Sequence, residues 1–247
     1  MCRLAELDIH ALGWVGRDDE MNQLTEPTSA TLSAAAADSI SAAIVGGALA
    51  PGSRLAIRDL SAELGIGPTP IREALTGLAG RGLVVAYGQR GFRVAQVSRQ
   101  DLLDLIRARN AIETGALREA IERGDADWEA AVAAALQRLK YFSANPPASV
   151  EERVATFERL NLGFHKALLA GCGSPRLIAM ADDLHRQAER YRNLMLRMRD
   201  VSPNVYDEHR ELAELALARD ADGACAWLAE HNQITLRLIY DNPAIAD

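Results

Sequence analysis

Three histidines and an asparagine in the second half of the chain have the spacing to hold a metal ion. Asn161 and His165 lie four residues apart in NLGFH, one helical turn along a single face. His209 opens one helical run and His231 closes the next, 22 positions on, with the turn signal Arg219-Asp220 about midway. A helix hairpin therefore folds the two back opposite each other. Inside a bundle this geometry lets three imidazoles and one side-chain oxygen converge, a donor set that suits zinc, nickel or a similar divalent ion. Taken singly, each histidine also reads as a capped or solvated residue. His185 does not fit the pattern and reads as an ordinary bundle histidine; His10 reads as exposed.

A second set of residues is cationic and lies nearer the N-terminus. Ile57, Leu60 and Leu64 have the spacing of a short helix with one buried face. Gly65-Ile66-Gly67 breaks that pattern with a tight turn. A second helix follows, with Ile71, Leu75 and Leu78 inward and Pro68 and Pro70 near its start, where a missing N–H costs little. The β-rich runs Leu83–Tyr87 and Phe92–Ala95 flank Gly88-Gln89-Arg90-Gly91, which makes a hairpin with a cationic tip. Helix, turn, helix and hairpin form a winged helix-turn-helix, whose second helix enters a major groove while the wing follows the backbone or a minor groove. Solvated helix arginines, or a local Arg72–Glu73 pair, are the plain alternatives for the cations.

At these residues a family resemblance is visible. PGSRL, IRDLSAELGI, TPIREAL, GLV and RGFRV follow one another over roughly residues 33–97. In that order they resemble the DNA-binding domain of GntR-family transcriptional regulators. The resemblance implies operator contacts by Arg58, Thr69 and Arg72, with Arg90 and Gly91 at the wing tip. Gly67-Pro68 departs from the family, in which many members carry Ser or Thr followed by Arg; a capping hydroxyl and a base-reading arginine are thereby absent. NLGFH with the later histidine pair resembles the FCD effector domain of the FadR subgroup. There an aspartate, or sometimes an asparagine, joins three histidines around a metal, which implies Asn161, His165, His209 and His231 here. A neutral amide oxygen is a weaker ligand than a carboxylate. Arg109-Asn110-Ala111-Ile112-Glu113 resembles the R-x-x-L/I-E segment that opens the same domain, where the arginine often points into the effector cavity and can pair bidentately with a carboxylate. The other reading of Arg109 is a surface pair with Glu113 at i,i+4.

The elements that must position these residues are mainly α-helical. Residues 1–30 read as a flexible extension with one short helical piece near Ala5–Trp14, and Met21 is an alternative first residue. Residues 31–97 form the winged helix-turn-helix with its small β-hairpin, opened by a helix over Ser33–Val45 with Ile40 and Ile44 inward. Residues 98–240 form an effector-binding and dimerisation domain, an antiparallel bundle of six helices near 99–123, 127–143, 149–171, 174–199, 204–219 and 221–240. Ser98 is a candidate N-cap for the first. Six helices after the wing, rather than seven, look like the VanR-type subdivision.

Composition sets bounds. A net charge of −7 argues against a protein that coats nucleic acid along its whole surface. Within residues 33–97, however, six arginines face four acidic residues, so a mildly basic head sits on an acidic body. Cys2, Cys172 and Cys225 have no metal-type pairing and read as reduced thiols, and no run is apolar enough to span a bilayer, so a cytoplasmic location is expected. The expected function is a dimeric, ligand-responsive transcriptional regulator, more often a repressor in such families, that reads a palindromic operator and answers a small carboxylate. The rivals are a metal-dependent hydrolytic enzyme built on the three histidines and a constitutive architectural DNA-binding protein with a metal-free bundle.

Overall fold

The computed structural model of the chain describes residues 29–199 and 205–240. The proposed N-terminal extension, the Ser202-Pro203 break and the tail after Tyr240 lie outside the described residues. The chain divides between Gln96 and Val97 into two units.

In the first unit, α1 (Ser29–Val45) packs on α3 (Pro68–Gly80), and α2 (Ile57–Leu64) joins α3 through Gly65. Gly65 has φ 66°, a left-handed conformation that costs a glycine little and ends α2 abruptly. Ile40, Ile44, Leu60, Ile71, Leu75 and Leu78 form the core between the helices. The hairpin is β2 (Val84–Ala86) and β3 (Phe92–Val94), joined by a 3-10 turn over Gly88–Arg90. A third strand, β1 (Arg54–Leu55), pairs antiparallel with β3, Arg54 opposite Arg93 and Leu55 opposite Phe92, giving the order β1-β3-β2. Two residues are too few to show alternation, so the predicted hairpin gains a strand that no sequence period announces.

The second unit is helical throughout its described residues: α4 (Arg99–Arg123), α5 (Ala126–Ala144), α6 (Val150–Ala170), α7 (Pro175–Arg199), α8 (Val205–Leu217), α9 (Ala221–His231) and α10 (Ile234–Tyr240). Ser98 caps α4 by accepting from the Asp101 N–H at 3.1 Å. The expected last helix over 221–240 is interrupted after His231. There the Gln233 N–H bonds back to the Glu230 carbonyl, a three-residue rather than four-residue step. The Asn232 side chain is drawn across to Asn110 Oδ1 at 2.9 Å.

The α8–α9 turn is tied down by one residue. Arg219 has φ 62°, and its guanidinium donates to the Ile121 and Gly124 carbonyls, pairs with Glu129 and covers the Trp128 ring. The turn reverses the chain, so that His209 near the start of α8 faces His231 at the end of α9. Leu117, Val132, Leu139, Phe164, Leu168, Leu212 and Leu228 belong to the main apolar core.

Candidate functional site

In the first unit four of the sequence-predicted DNA contacts, Arg58, Thr69, Arg72 and Arg90, are exposed, and Gly91 is half-buried. The Arg58 side chain is 95% exposed and lies 3.4 Å from Asp59. Thr69 and Arg72, three apart at the start of α3, are exposed, as is Arg90 at the hairpin tip. Among the described residues no ion pair ties Arg72 to Glu73. Gly91 has φ 91° and turns the chain into β3. Cationic side chains on the opening turns of a second helix and on a hairpin tip suit phosphate and base-edge contacts.

In the second unit polar side chains are buried where a bundle would ordinarily be apolar. Asn161 and His165 come from α6, His209 from α8 and His231 from α9. One ligand nitrogen from each of His165, His209 and His231 lies within 4.8 Å of the other two. The imidazole centroids are 5.0–5.7 Å apart, with Phe164 edge-on to His165 and His209, and Trp227 stacked on His231. His209 Nδ1 donates to the Val205 carbonyl at 2.6 Å, and its Nε2 lies 2.8 Å from Asn161 Oδ1. His231 Nδ1 is buried without a hydrogen-bond partner.

Burial, first of all, holds His165 and His231 well below the ordinary imidazole pKa and His209 at about 4; the charge of Arg109 adds to it for His165 and His231. These are neutral imidazoles with free lone pairs, the form that ligates metals.

Two placements differ from expectation. His185, which the sequence pattern excludes, lies beside His165 at 5.3 Å between centroids and shares the buried network. Arg109 does pair with Glu113, at 2.7 and 3.1 Å, but the pair is interior rather than on the surface, both residues being under 5% exposed. Glu208 adjoins His209 in sequence, and its carboxylate comes within 3.9 Å of His231 Nδ1, too far for a hydrogen bond. Burial raises the Glu208 pKa. A small cavity beside the cluster is lined by Glu113, His165, Lys166, Asp182 and His185, with a Lys166–Asp182 ion pair at 2.7 Å.

The sequence reading missed Glu158, His185, Glu189 and Arg192. Arg192 grips Glu158 at 2.7 and 3.0 Å, both residues buried. Glu158 stands at i−3 from Asn161, and His185 and Arg192 stand seven apart on α7.

A winged helix-turn-helix joined to a helical domain with a polar interior defines a class of protein, the ligand-responsive DNA-binding regulators. Comparison with known proteins agrees. Residues 32–94 match the bacterial regulatory proteins of the gntR family, and residues 104–233 match the FCD domain. The chain is 37% identical over 196 residues to the HTH-type transcriptional regulator BphR of Paraburkholderia xenovorans, covering 79% of this chain and 80% of that one. It is 34% identical over 192 residues to the HTH-type transcriptional repressor GlaR of Escherichia coli, covering 76% and 86%. Among solved structures it resembles E. coli McbR/YncC with TM-score 0.68 at 25% identity, over 85% of this chain and 97% of that one. The chain belongs to the GntR family of transcriptional regulators and carries an FCD effector-binding domain. It is a DNA-binding regulator and not an enzyme, so the hydrolytic alternative falls.

Proposed function

We propose that the protein is a repressor that binds a palindromic operator as a homodimer in the cytoplasm. A small carboxylate, bound near Arg109 beside a divalent metal, zinc or nickel, releases it. No described helix is long and apolar enough to cross a membrane. Arg58, Thr69 and Arg72 would read the operator, with Arg90 and Gly91 at the wing. Asn161, His165, His209 and His231 would hold the ion.

The observation that carries the metal reading is a clash of lone pairs. His209 Nδ1 gives its proton to the Val205 carbonyl, so Nε2 of the neutral ring is an acceptor. Asn161 presents Oδ1, also an acceptor, 2.8 Å away. Two acceptors at that distance repel unless a cation lies against both. The buried His231 Nδ1 has no hydrogen-bond partner either, so that ring is not committed through this atom to the surrounding protein. The donor set therefore fits a divalent ion. When bound, that ion would supply a fixed positive charge to which an acidic effector is drawn.

What the chain itself supplies is rigidity and charge. The Val205 carbonyl sets the His209 tautomer, Phe164 and Trp227 hold the rings in place, and the buried Arg109 adds a cation facing the same interior. Glu113 already occupies one edge of that guanidinium. An entering carboxylate therefore takes the remaining donors or displaces Glu113. The effector regulates only if it binds the DNA-competent and DNA-incompetent states with different affinities.

Elemental analysis of the purified protein beside a His209→Ala variant tests this reading. About one equivalent of a transition metal is expected in the wild type and a large loss in the variant. Equal metal content in both, or none in either after zinc and nickel are added, removes the metal from the mechanism.

A further inference from the structure

Asn161 can present either end of its amide to the cluster. Half a turn about its last torsion swaps a lone-pair oxygen for an NH2 group of nearly the same shape. A cation accepts the first and rejects the second, so something must fix the rotamer.

The other end of the amide faces His185, with Nδ2 3.3 Å from His185 Nε2. The same Nε2 lies 3.0 Å from a terminal nitrogen of Arg192. A guanidinium has no acceptor, so Nε2 must carry a lone pair and the His185 proton must sit on Nδ1. Arg192 is itself held, since Glu158 takes its Nε at 3.0 Å and the same terminal nitrogen at 2.7 Å. Glu158, Asn161, His185 and Arg192 are all 7% exposed or less. If the amide oxygen turned toward His185, two lone pairs would meet in a buried site, and the Arg192 donor already on Nε2 leaves no place there for the ion that answers the pair at His209. The amide nitrogen faces His185 instead, and the oxygen is left facing His209.

We infer that His185, its tautomer set by Arg192 and Glu158, is a positioning residue that locks the Asn161 amide with its oxygen toward the histidine cluster. This deepens the metal reading and rests on it. The network also matches asparagine rather than aspartate at position 161. A carboxylate oxygen on that side would face the His185 lone pair and could settle only if His185 gave up its bond from Arg192.

Two measurements test the inference. A long-range proton–nitrogen spectrum of the metal-free wild type, labelled with nitrogen-15 histidine, reads the tautomers, and the His185 signal is identified by its loss in His185→Gln. A proton on Nδ1 is expected; a proton on Nε2 overturns the inference. Nickel titration calorimetry then compares the wild type with His185→Gln, His185→Phe, Asn161→Ala and the His185→Phe/Asn161→Ala double variant. Removal of the acceptor in His185→Phe is expected to weaken nickel binding ~10–100-fold, whereas His185→Gln, which keeps an acceptor oxygen, loses about threefold or less. The double variant should bind no more weakly than Asn161→Ala alone, because His185 acts through Asn161. Unchanged affinity in a folded His185→Phe, or losses that multiply in the double variant, overturn the inference. If the wild type takes up no nickel, the metal reading fails, and the tautomer spectrum alone decides the positioning.

Discussion

Glu189 is the residue on which pH acts most directly. It lies half-buried on α7, one turn beyond His185, and desolvation, reinforced by Glu158, raises its pKa from 4.5 to about 7 against the opposing pull of Arg192 and Arg186. The folded state thus holds a proton that the unfolded chain releases near pH 4.5. Between those two values the native state binds more protons, so this residue makes stability fall as pH rises. The buried histidines act in the opposite sense: their folded pKa values lie below 6.5, so their contribution grows as pH rises toward that value. The difference between wild type and Glu189→Gln isolates the carboxyl. Melting temperatures from pH 5 to 8 should show the variant gaining on the wild type as pH rises, with the gap levelling off above about pH 8. Parallel curves would mean that Glu189 is solvated. At this scale the sequence shows the candidate ligands because Asn161/His165 and His209/His231 obey helix and hairpin spacing. It does not show His185, Arg192 and Glu158 as their supports, because those meet the ligands only through the packing of α6 on α7.

At the scale of elements, the sequence boundaries of α4 to α8 follow from caps and breakers, and the exceptions have local causes. β1 is too short for a period to register. The last helix breaks where Asn232 reaches across to Asn110, a tertiary contact that no propensity encodes. The α8–α9 turn carries the most consequence, since it sets His209 against His231. Arg219 sits there in a left-handed conformation that side-chain-bearing residues avoid, held by its own hydrogen bonds. Arg219→Ala keeps the backbone strain and removes the clamp, and should lower stability in urea by about 1–3 kcal/mol. Arg219→Gly removes the clamp but relieves the strain, so it should be the more stable of the two variants. A glycine variant less stable than the alanine variant would show that the turn relaxes to another conformation once the arginine is gone.

For the whole molecule, the uneven charge matters more than its sum. With −7 overall and a positive excess in residues 33–97, the acidic body repels DNA while the head attracts it, which disfavours binding along random sequence. Two arginines of the head should then behave differently. Arg72 stands exposed in the first turns of α3, where a planar fork can read a base edge; Arg90 stands on the hairpin tip, where a cation meets phosphates. Each can be replaced by alanine and titrated against the operator and against unrelated duplex at several salt concentrations. Arg72→Ala should lose about 1–3 kcal/mol on the operator and much less on unrelated DNA, narrowing the ratio between them. Arg90→Ala should weaken both duplexes alike and reduce the slope of log affinity against log salt by about one. Both side chains are exposed, so thermal unfolding should be unchanged in either variant, which separates lost contacts from lost fold. If Arg72→Ala weakened both duplexes equally, α3 would be gripping backbone, and the reading of sequence would have to pass to Thr69 and Arg58.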